Sequence, residues 1–285
     1  MATHPRLMIV IGQVLTAPWL DISMAGQFPT WLPIADKLRI PVRHSHGRRS
    51  GRGLQAFDRA HEWVRWRGIG QVLVPRLDSW VGRRYRDHVP DASIENFQAT
   101  GATAWSQNLR DVYALQRWKV LGSLRQALRE DFDFVYFTTA SSYVRPAELL
   151  RIVASLPSSG VYAGTRHVDG RTELAFASGA NRVLSRDVAE LVVRERRHYR
   201  IDVMEDVGLG ALIMGAGIGL LDLPSVNVSS QRALDDLDDG AIEENFHFRM
   251  TSGSRKNRTD AELMRILHKR VLQIESRFAP TDHGK

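Results

Sequence analysis

Five small residues, Thr138-Thr139-Ala140-Ser141-Ser142, follow a near-continuous apolar run at 132–137. Such a run reads as a strand buried on both faces, and ligands of open α/β sheets sit beyond the carboxyl ends of strands of that kind. The hydroxyls are therefore candidates for the floor of a site. Two neighbouring acids, Glu205 and Asp206, with Asp202 just before them, precede a small-residue stretch at 207–214 that reads as a helix. A carboxylate at a helix start is held ionised and oriented, which is what a proton acceptor requires. Ser178-Gly179 lie ahead of a further helix, where a glycine leaves bare backbone open to a ligand. The tail supplies His247, Arg249, Arg255, Lys256 and Arg258, and Lys119 falls on the helix before the central strand. Arg or Lys at hydrogen-bond range can stabilise a departing anion without a metal.

These residues need elements to position them. A first strand is expected at 7–15, a structured loop at 17–33 and a second strand at 38–42, followed by a basic, flexible loop at 43–53. Residues 54–67 are loosely helical and 71–74 read as a strand. From 109 to 128, Val112, Leu115, Trp118, Leu121, Leu124 and Leu128 recur at three and four, the pattern of a helix packing one face on a sheet. Pro146 opens the next helix. Strands follow at 161–164 and 172–176 around a turn at 168–171, and a helix begins near Ser185 and Asp187. A strand is expected at 218–223, a solvated acidic loop at 235–239, and a last helix whose Thr259 and Glu262 have capping-box spacing. Gly215, Gly217 and Gly219 are spaced GxGxG, which is not a dinucleotide loop and is expected to be a tight helix-to-strand packing site. The alternation of strands and helices predicts an α/β fold: one domain over 1–230 with a mostly parallel central sheet, and a C-terminal loop and helical arm over 231–285 packing on it.

Composition narrows the chemistry. There are no cysteines, so disulfide frameworks and thiolate metal sites are excluded, which suits a cytoplasmic location. No signal peptide is recognised, and no run reaches the about 18 residues that a spanning helix needs, so no transmembrane segment is predicted. A net charge of +7 favours anionic partners, phosphates among them. The phosphate loop GxxxxGK[ST], the zinc helix HExxH and the nucleophile elbow GxSxG are all absent.

The ordered set of helix, buried strand, polar loop, Tyr143-Val144 and helix, then Ser178-Gly179 with Val183-Leu184-Ser185-Arg186-Asp187, then Glu205-Asp206-Val207-Gly208-Leu209-Gly210, resembles the GT-A-fold glycosyltransferases of the Fringe and β-1,3-galactosyltransferase type. The resemblance covers about 109–223, with an echo at His247-Phe248-Arg249. It implies a single GT-A-like, Rossmann-like domain that moves a sugar from a nucleotide sugar to the hydroxyl of a glycan, glycolipid or protein acceptor with inversion. Asp206 would be the general base and Glu205 its positioning neighbour. Thr139, Ala140, Ser141, Ser142, Lys119, His247, Arg249, Lys256 and Arg258 would face the donor, and Ser178, Gly179 and Tyr143 the acceptor. The family's Asp-x-Asp triplet, which holds a divalent cation, falls here on Thr139-Ala140-Ser141. Neutral hydroxyls are poor ligands for Mg²⁺ or Mn²⁺, so no metal or other cofactor is expected, with Mn²⁺ or Mg²⁺ the disfavoured alternative. Two other functions fit parts of the chain: a basic nucleic-acid-binding protein, the runner-up, and, third, a metal-dependent phosphoesterase built on Asp202, Glu205 and Asp206.

Overall fold

The computed structural model describes residues 5–48, 89–112, 115–253 and 257–277. The expectations for 49–53, 54–67 and 71–74, and those for Arg255 and Lys256, lie outside the described residues.

The first strand, β1 (Leu7–Gly12), ends earlier than its sequence suggests and is almost wholly buried. The stretch expected as a loop instead holds a helical turn α1 (Trp19–Ile22), a π-helical turn (Ser23–Gln27) and α2 (Leu32–Lys37). Its prolines do not break structure: Pro33 sits in the first turn of α2, where a missing N–H costs nothing.

The second strand is displaced from 38–42 to β2 (Val42–Arg48), which takes in half of the segment expected as a flexible basic loop. Of the polar residues there, Ser45 is satisfied inside, its Oγ lying 2.7 Å from Ser123 Oγ and accepting from Gln107 Nε2 at 2.8 Å, whereas His44 stacks on Phe97 at 4.2 Å with neither ring nitrogen hydrogen-bonded to a described residue. A hairpin follows, β3 (Ala92–Asn96) and β4 (Thr103–Arg110), so that residues 109–110 are strand and the helix α3 (Gln116–Ala127) starts later than its periodicity implied.

The central strand β5 (Phe134–Thr139) runs directly into the polar residues, and β6 (Ser142–Val144) and α4 (Pro146–Ser155) continue the chain. After β7 (Tyr162–Val168) comes β8 (Ala175–Ser185), one long strand that absorbs Ser178-Gly179, and then α5 (Arg186–Arg194). The acidic pair opens α6 (Glu205–Gly215), followed by β9 (Leu220–Asp222) and β10 (Val226–Val228). Gly215, Gly217 and Gly219 meet open space rather than a tight packing surface, and Gly217, at φ +85°, is the left-handed residue just past the end of α6. The acidic loop is replaced by two short helices, α7 (Gln231–Asp235) and α8 (Asp239–Glu244), the second capped by Asp238 accepting from Ala241 N at 2.6 Å. β11 (His247–Met250) and α9 (Asp260–Arg277) complete the chain.

The eight-stranded sheet has the order β3-β4-β2-β1-β5-β8-β7-β9. β1 pairs parallel with β2 and β5, β2 with β4, and β7 with β9; the β3–β4, β5–β8 and β8–β7 pairs are antiparallel. The expected α/β class with a mostly parallel central sheet and a C-terminal helical arm is what the chain adopts. From β1 the chain moves outward to β2 and β4 and then returns to the other side of β1 at β5. The gap above β1 and β5 is thus a switch point, where open α/β sheets bind ligands. On one face Leu7, Ile9 and Ile11 pack with Leu149 of α4 and with Leu263, Leu267 and Val271 of α9. On the other, Met8 and Val10 pack with Leu121 of α3, Val188 of α5 and Leu209 of α6.

Candidate functional site

At the carboxyl end of β5, Thr138 stands in register with Ile11 of β1 and Asn181 of β8. Fixed donors hold the loop that follows. Gln27 Nε2 donates to the carbonyls of Thr139 (2.9 Å) and Ser142 (3.1 Å), Trp31 Nε1 donates to Ser142 O (3.1 Å), and Met250 N donates to Ser141 O (2.8 Å). The carbonyls are spoken for while hydroxyls remain: Ser141 Oγ is buried without a protein partner. The helical turns after β1 and the tail strand β11 therefore cooperate to hold a rigid floor.

Strand β11 lies antiparallel to β6, with Arg249 opposite Ser142 and His247 opposite Val144. Arg249 Nη1 donates to Thr139 Oγ1, which also lies 3.3 Å from Ser142 Oγ. This joins two parts of the candidate site that are 110 residues apart in sequence. His247 is 1% exposed and its Nδ1 lies 2.7 Å from Ser225 Oγ. Burial pushes its imidazole down to about 3, Arg249 adds to the effect, and the Ala180 carbonyl opposes it. His247 is accordingly neutral and offers no charge to an anion.

The other expected cations have separate partners. Lys119 Nζ is buried against Asp111 Oδ1 (2.8 Å) and Gln13 O (3.1 Å). Arg258 donates through Nε to Asp260 Oδ2 (2.9 Å), lies 4.7 Å over the Trp19 ring, and so clasps the start of α9. Tyr143 is also core: 1% exposed, it packs edge-on to Phe248, and its hydroxyl meets His268 Nδ1 at 3.0 Å.

The third part of the site is made by β8 and α6. Pairing between β7 and β8 slips after Gly164, from the partner Arg182 to the partner Ala177, so residues 178–181 leave that ladder as a bulge. Gly164 is required there, since a Cβ would lie 2.2 Å from Asn181 O. A Cβ on Gly179 would stand 3.5 Å from Glu205 Oε2 and 3.8 Å from Asp206 Oδ2, so the Ser178-Gly179 bulge and the acidic pair are neighbours. The helix comes this close because two positions on it lack side chains. A Cβ at Gly210 would lie 2.9 Å from Phe176 Cβ, and one at Gly208 would lie 2.8 Å from Arg200 O.

The two acids differ in setting. Glu205 is 9% exposed, its Oε1 lies 2.8 Å from Arg182 Nη1, and it accepts from the Tyr199 hydroxyl at 3.2 Å. Burial raises its carboxyl above the ordinary range against the pull of Arg182, and the charge of Asp206 adds to the rise. Asp206 is half-buried, and its Oδ1 accepts from Val207 N at 3.1 Å. Asp202 stands apart, accepting from Arg200 Nε at 3.1 Å. The triad that a phosphoesterase would need is thus divided, and no group of three His, Asp or Glu arranged for a metal occurs among the described residues. At Thr139-Ala140-Ser141 the donors are two neutral hydroxyls with the Arg249 guanidinium on one of them, a set that does not fit a divalent cation.

Sequence reasoning missed Arg182, Tyr199 and Arg117. Arg182 lies in a segment to which the sequence reading assigned no strand, and its partner lies on another element, so no spacing announces it. The large cavity of about 720 Å³ is not part of this site: lined by Arg6, Leu38, Arg39, Ile40 and Leu150, it lies at the opposite edge of the sheet, where β1 and β2 begin.

No family model and no curated protein matches the sequence. Among solved structures, the chain is similar in shape to a glycosyltransferase involved in the glycosylation of the major capsid of PBCV-1, at 8% identity and a TM-score of 0.42 over 92% of this chain and 100% of that one. A likeness that distant identifies no activity, and the functional reading has to come from the site.

Proposed function

We propose that the chain is a GT-A-like glycosyltransferase that transfers a sugar from a nucleotide sugar to an acceptor hydroxyl, with inversion and without a metal. The observation that carries this reading is the meeting of sequence-distant parts at the carboxyl edge of the sheet: Thr139 with Arg249, Thr138 with Asn181 of the bulge, and Gly179 with Glu205 and Asp206. The switch point between β1 and β5 supports it as a ligand site.

In this mechanism the acceptor oxygen attacks the anomeric carbon as Asp206 takes its proton. The bond from that carbon to the diphosphate oxygen breaks, and the nucleoside diphosphate leaves with the bonding electrons. Arg249 and the hydroxyls of Thr139, Ser141 and Ser142 meet the charge that develops on it, the task a metal ion performs in the related enzymes. Glu205, paired with Arg182, positions the base rather than exchanging protons.

A thermal-shift panel of nucleotide sugars, run with Mn²⁺ and with chelator, tests the reading. A donor that raises Tm equally in both is the expected result. A donor that acts only with Mn²⁺ contradicts the metal-free site, and a panel without any shift contradicts the transferase.

A further inference from the structure

Arg182 is 1% exposed and Arg117 5% exposed, and both face the start of α6. Arg182, from β8, meets Glu205 Oε1 at 2.8 Å and lies 5.1 Å over the Phe137 ring. Arg117, from the first turn of α3, donates through Nη2 to Val203 O at 2.8 Å, two residues before Glu205, and lies 5.0 Å over the Tyr199 ring. Tyr199 closes the ring of contacts, donating to the Glu205 carbonyl at 2.8 Å. The remaining titratable neighbours are Tyr162, whose hydroxyl accepts from Ala177 N at 2.8 Å beneath Gly210, and Asp206.

Two guanidinium groups thus stand against one carboxylate and the backbone carbonyl two residues before it. Burying charges is costly even when they are paired, and apolar residues of similar size would hold a helix on a sheet at less cost. What the ionic arrangement supplies and an apolar one does not is a directed anchor on one carboxylate and on the backbone leading to it.

We infer that Arg182 and Arg117 are positioning residues: they fix Glu205 and the 203–205 backbone so that Asp206 stands against the Gly179 bulge. The inference rests on the transferase reading for its consequence in turnover, but not for its geometry. It separates the two acids, with Glu205 as the anchor and Asp206 as the reacting group.

The test uses Arg182→Met, Glu205→Gln, the double variant and Arg117→Met in the full chain. With Arg182 gone, the buried Glu205 loses the guanidinium it is paired with, and burial favours its protonated form in the folded state. The folded chain then binds more protons than the unfolded chain above the usual carboxylate range, so stability falls as pH rises. Arg182→Met is therefore expected to show a Tm that declines from about pH 5 to about pH 8 more steeply than wild type, and Glu205→Gln in the same background to remove the extra slope. A merely space-filling Arg182 would leave the slope unchanged, which overturns the inference.

With a nucleotide sugar identified by thermal shift, the double variant and Arg117→Met should keep the donor-induced shift while nucleoside-diphosphate release drops roughly tenfold or more. Wild-type release in both also overturns the inference. If wild type releases no diphosphate from any donor, the transferase reading fails, and hydrogen exchange of residues 203–208 decides the positioning alone. Faster exchange in the double variant and in Arg117→Met supports it, and unchanged exchange rejects it.

Discussion

Asp206 differs from Glu205 by one position in sequence and by its surroundings in the fold. Glu205 is shut against Arg182 and Tyr199, whereas Asp206 is half-buried beside Gly179. Replacing Asp206 with Asn keeps shape and hydrogen bonding but removes the proton acceptor. Asp206→Asn is expected to retain the donor-induced thermal shift and to lose about 10²–10⁴-fold in turnover. At the same scale, two buried imidazoles give a pH prediction. Burial lowers His44 to about 3, with His46 adding to the effect, and lowers His247 to about 3. Each is neutral in the folded chain and takes a proton in the unfolded chain below its ordinary value of about 6.5, so the stability it contributes is present above that pH and lost as pH falls toward 3. Denaturation at a series of pH values should show a loss of up to ~1.4 kcal/mol per pH unit for each histidine, reduced in His44→Leu and His247→Gln. Residue types and spacing pointed to Asp206, Gly179, Thr139 and Arg249. His247, Lys119, Arg258 and Tyr143 have partners inside the fold, which cationic or hydroxyl character in sequence does not display.

Strand β8 and helix α6 form the element pair on which the site depends. Their approach requires Gly210, where an added Cβ would meet Phe176 Cβ at 2.9 Å, and the bulge in β8 requires Gly164 of the neighbouring β7, where one would meet Asn181 O at 2.2 Å. Gly210→Ala is expected to cost about 1–3 kcal/mol in urea denaturation and Gly164→Ala somewhat more, since backbone cannot swing away as a side chain can. Both should also depress turnover by moving Asp206 off the bulge. Elements with clear apolar periodicity, such as α4 and α9, were legible from the sequence, and the small-residue stretch at 207–214 announced α6. β2 was not, because its buried interior is polar: Ser45 is satisfied by Gln107 and Ser123 from other elements, and a local pattern cannot display such partners. The short helices between β1 and β2 were hidden in the same way, Pro18 and Pro33 sitting at helix starts rather than in breaks.

Taken as one molecule, the chain closes its C-terminal arm over the sheet it began with. Leu263, Met264, Leu267, Val271 and Ile274 of α9 share a core with β1 and β5, and β11 presents Arg249 to the loop after β5. The arm is therefore part of both fold and site, and Arg249→Ala should weaken the donor-induced shift by about tenfold in donor concentration while leaving Tm without donor near wild type. The switch-point architecture could be inferred from the alternation of elements, but the meetings of Thr139 with Arg249 and of Gly179 with Asp206 could not, because they depend on strand order. The central claim is that this site transfers sugar with Asp206 as base. Its most direct test is the rate of nucleoside-diphosphate release from a stabilising nucleotide sugar, measured in chelator for wild type and Asp206→Asn. The account predicts release by wild type undiminished by chelator and lowered by roughly 100-fold or more in the variant. Equal release by the two proteins, or release that stops in chelator, would contradict it.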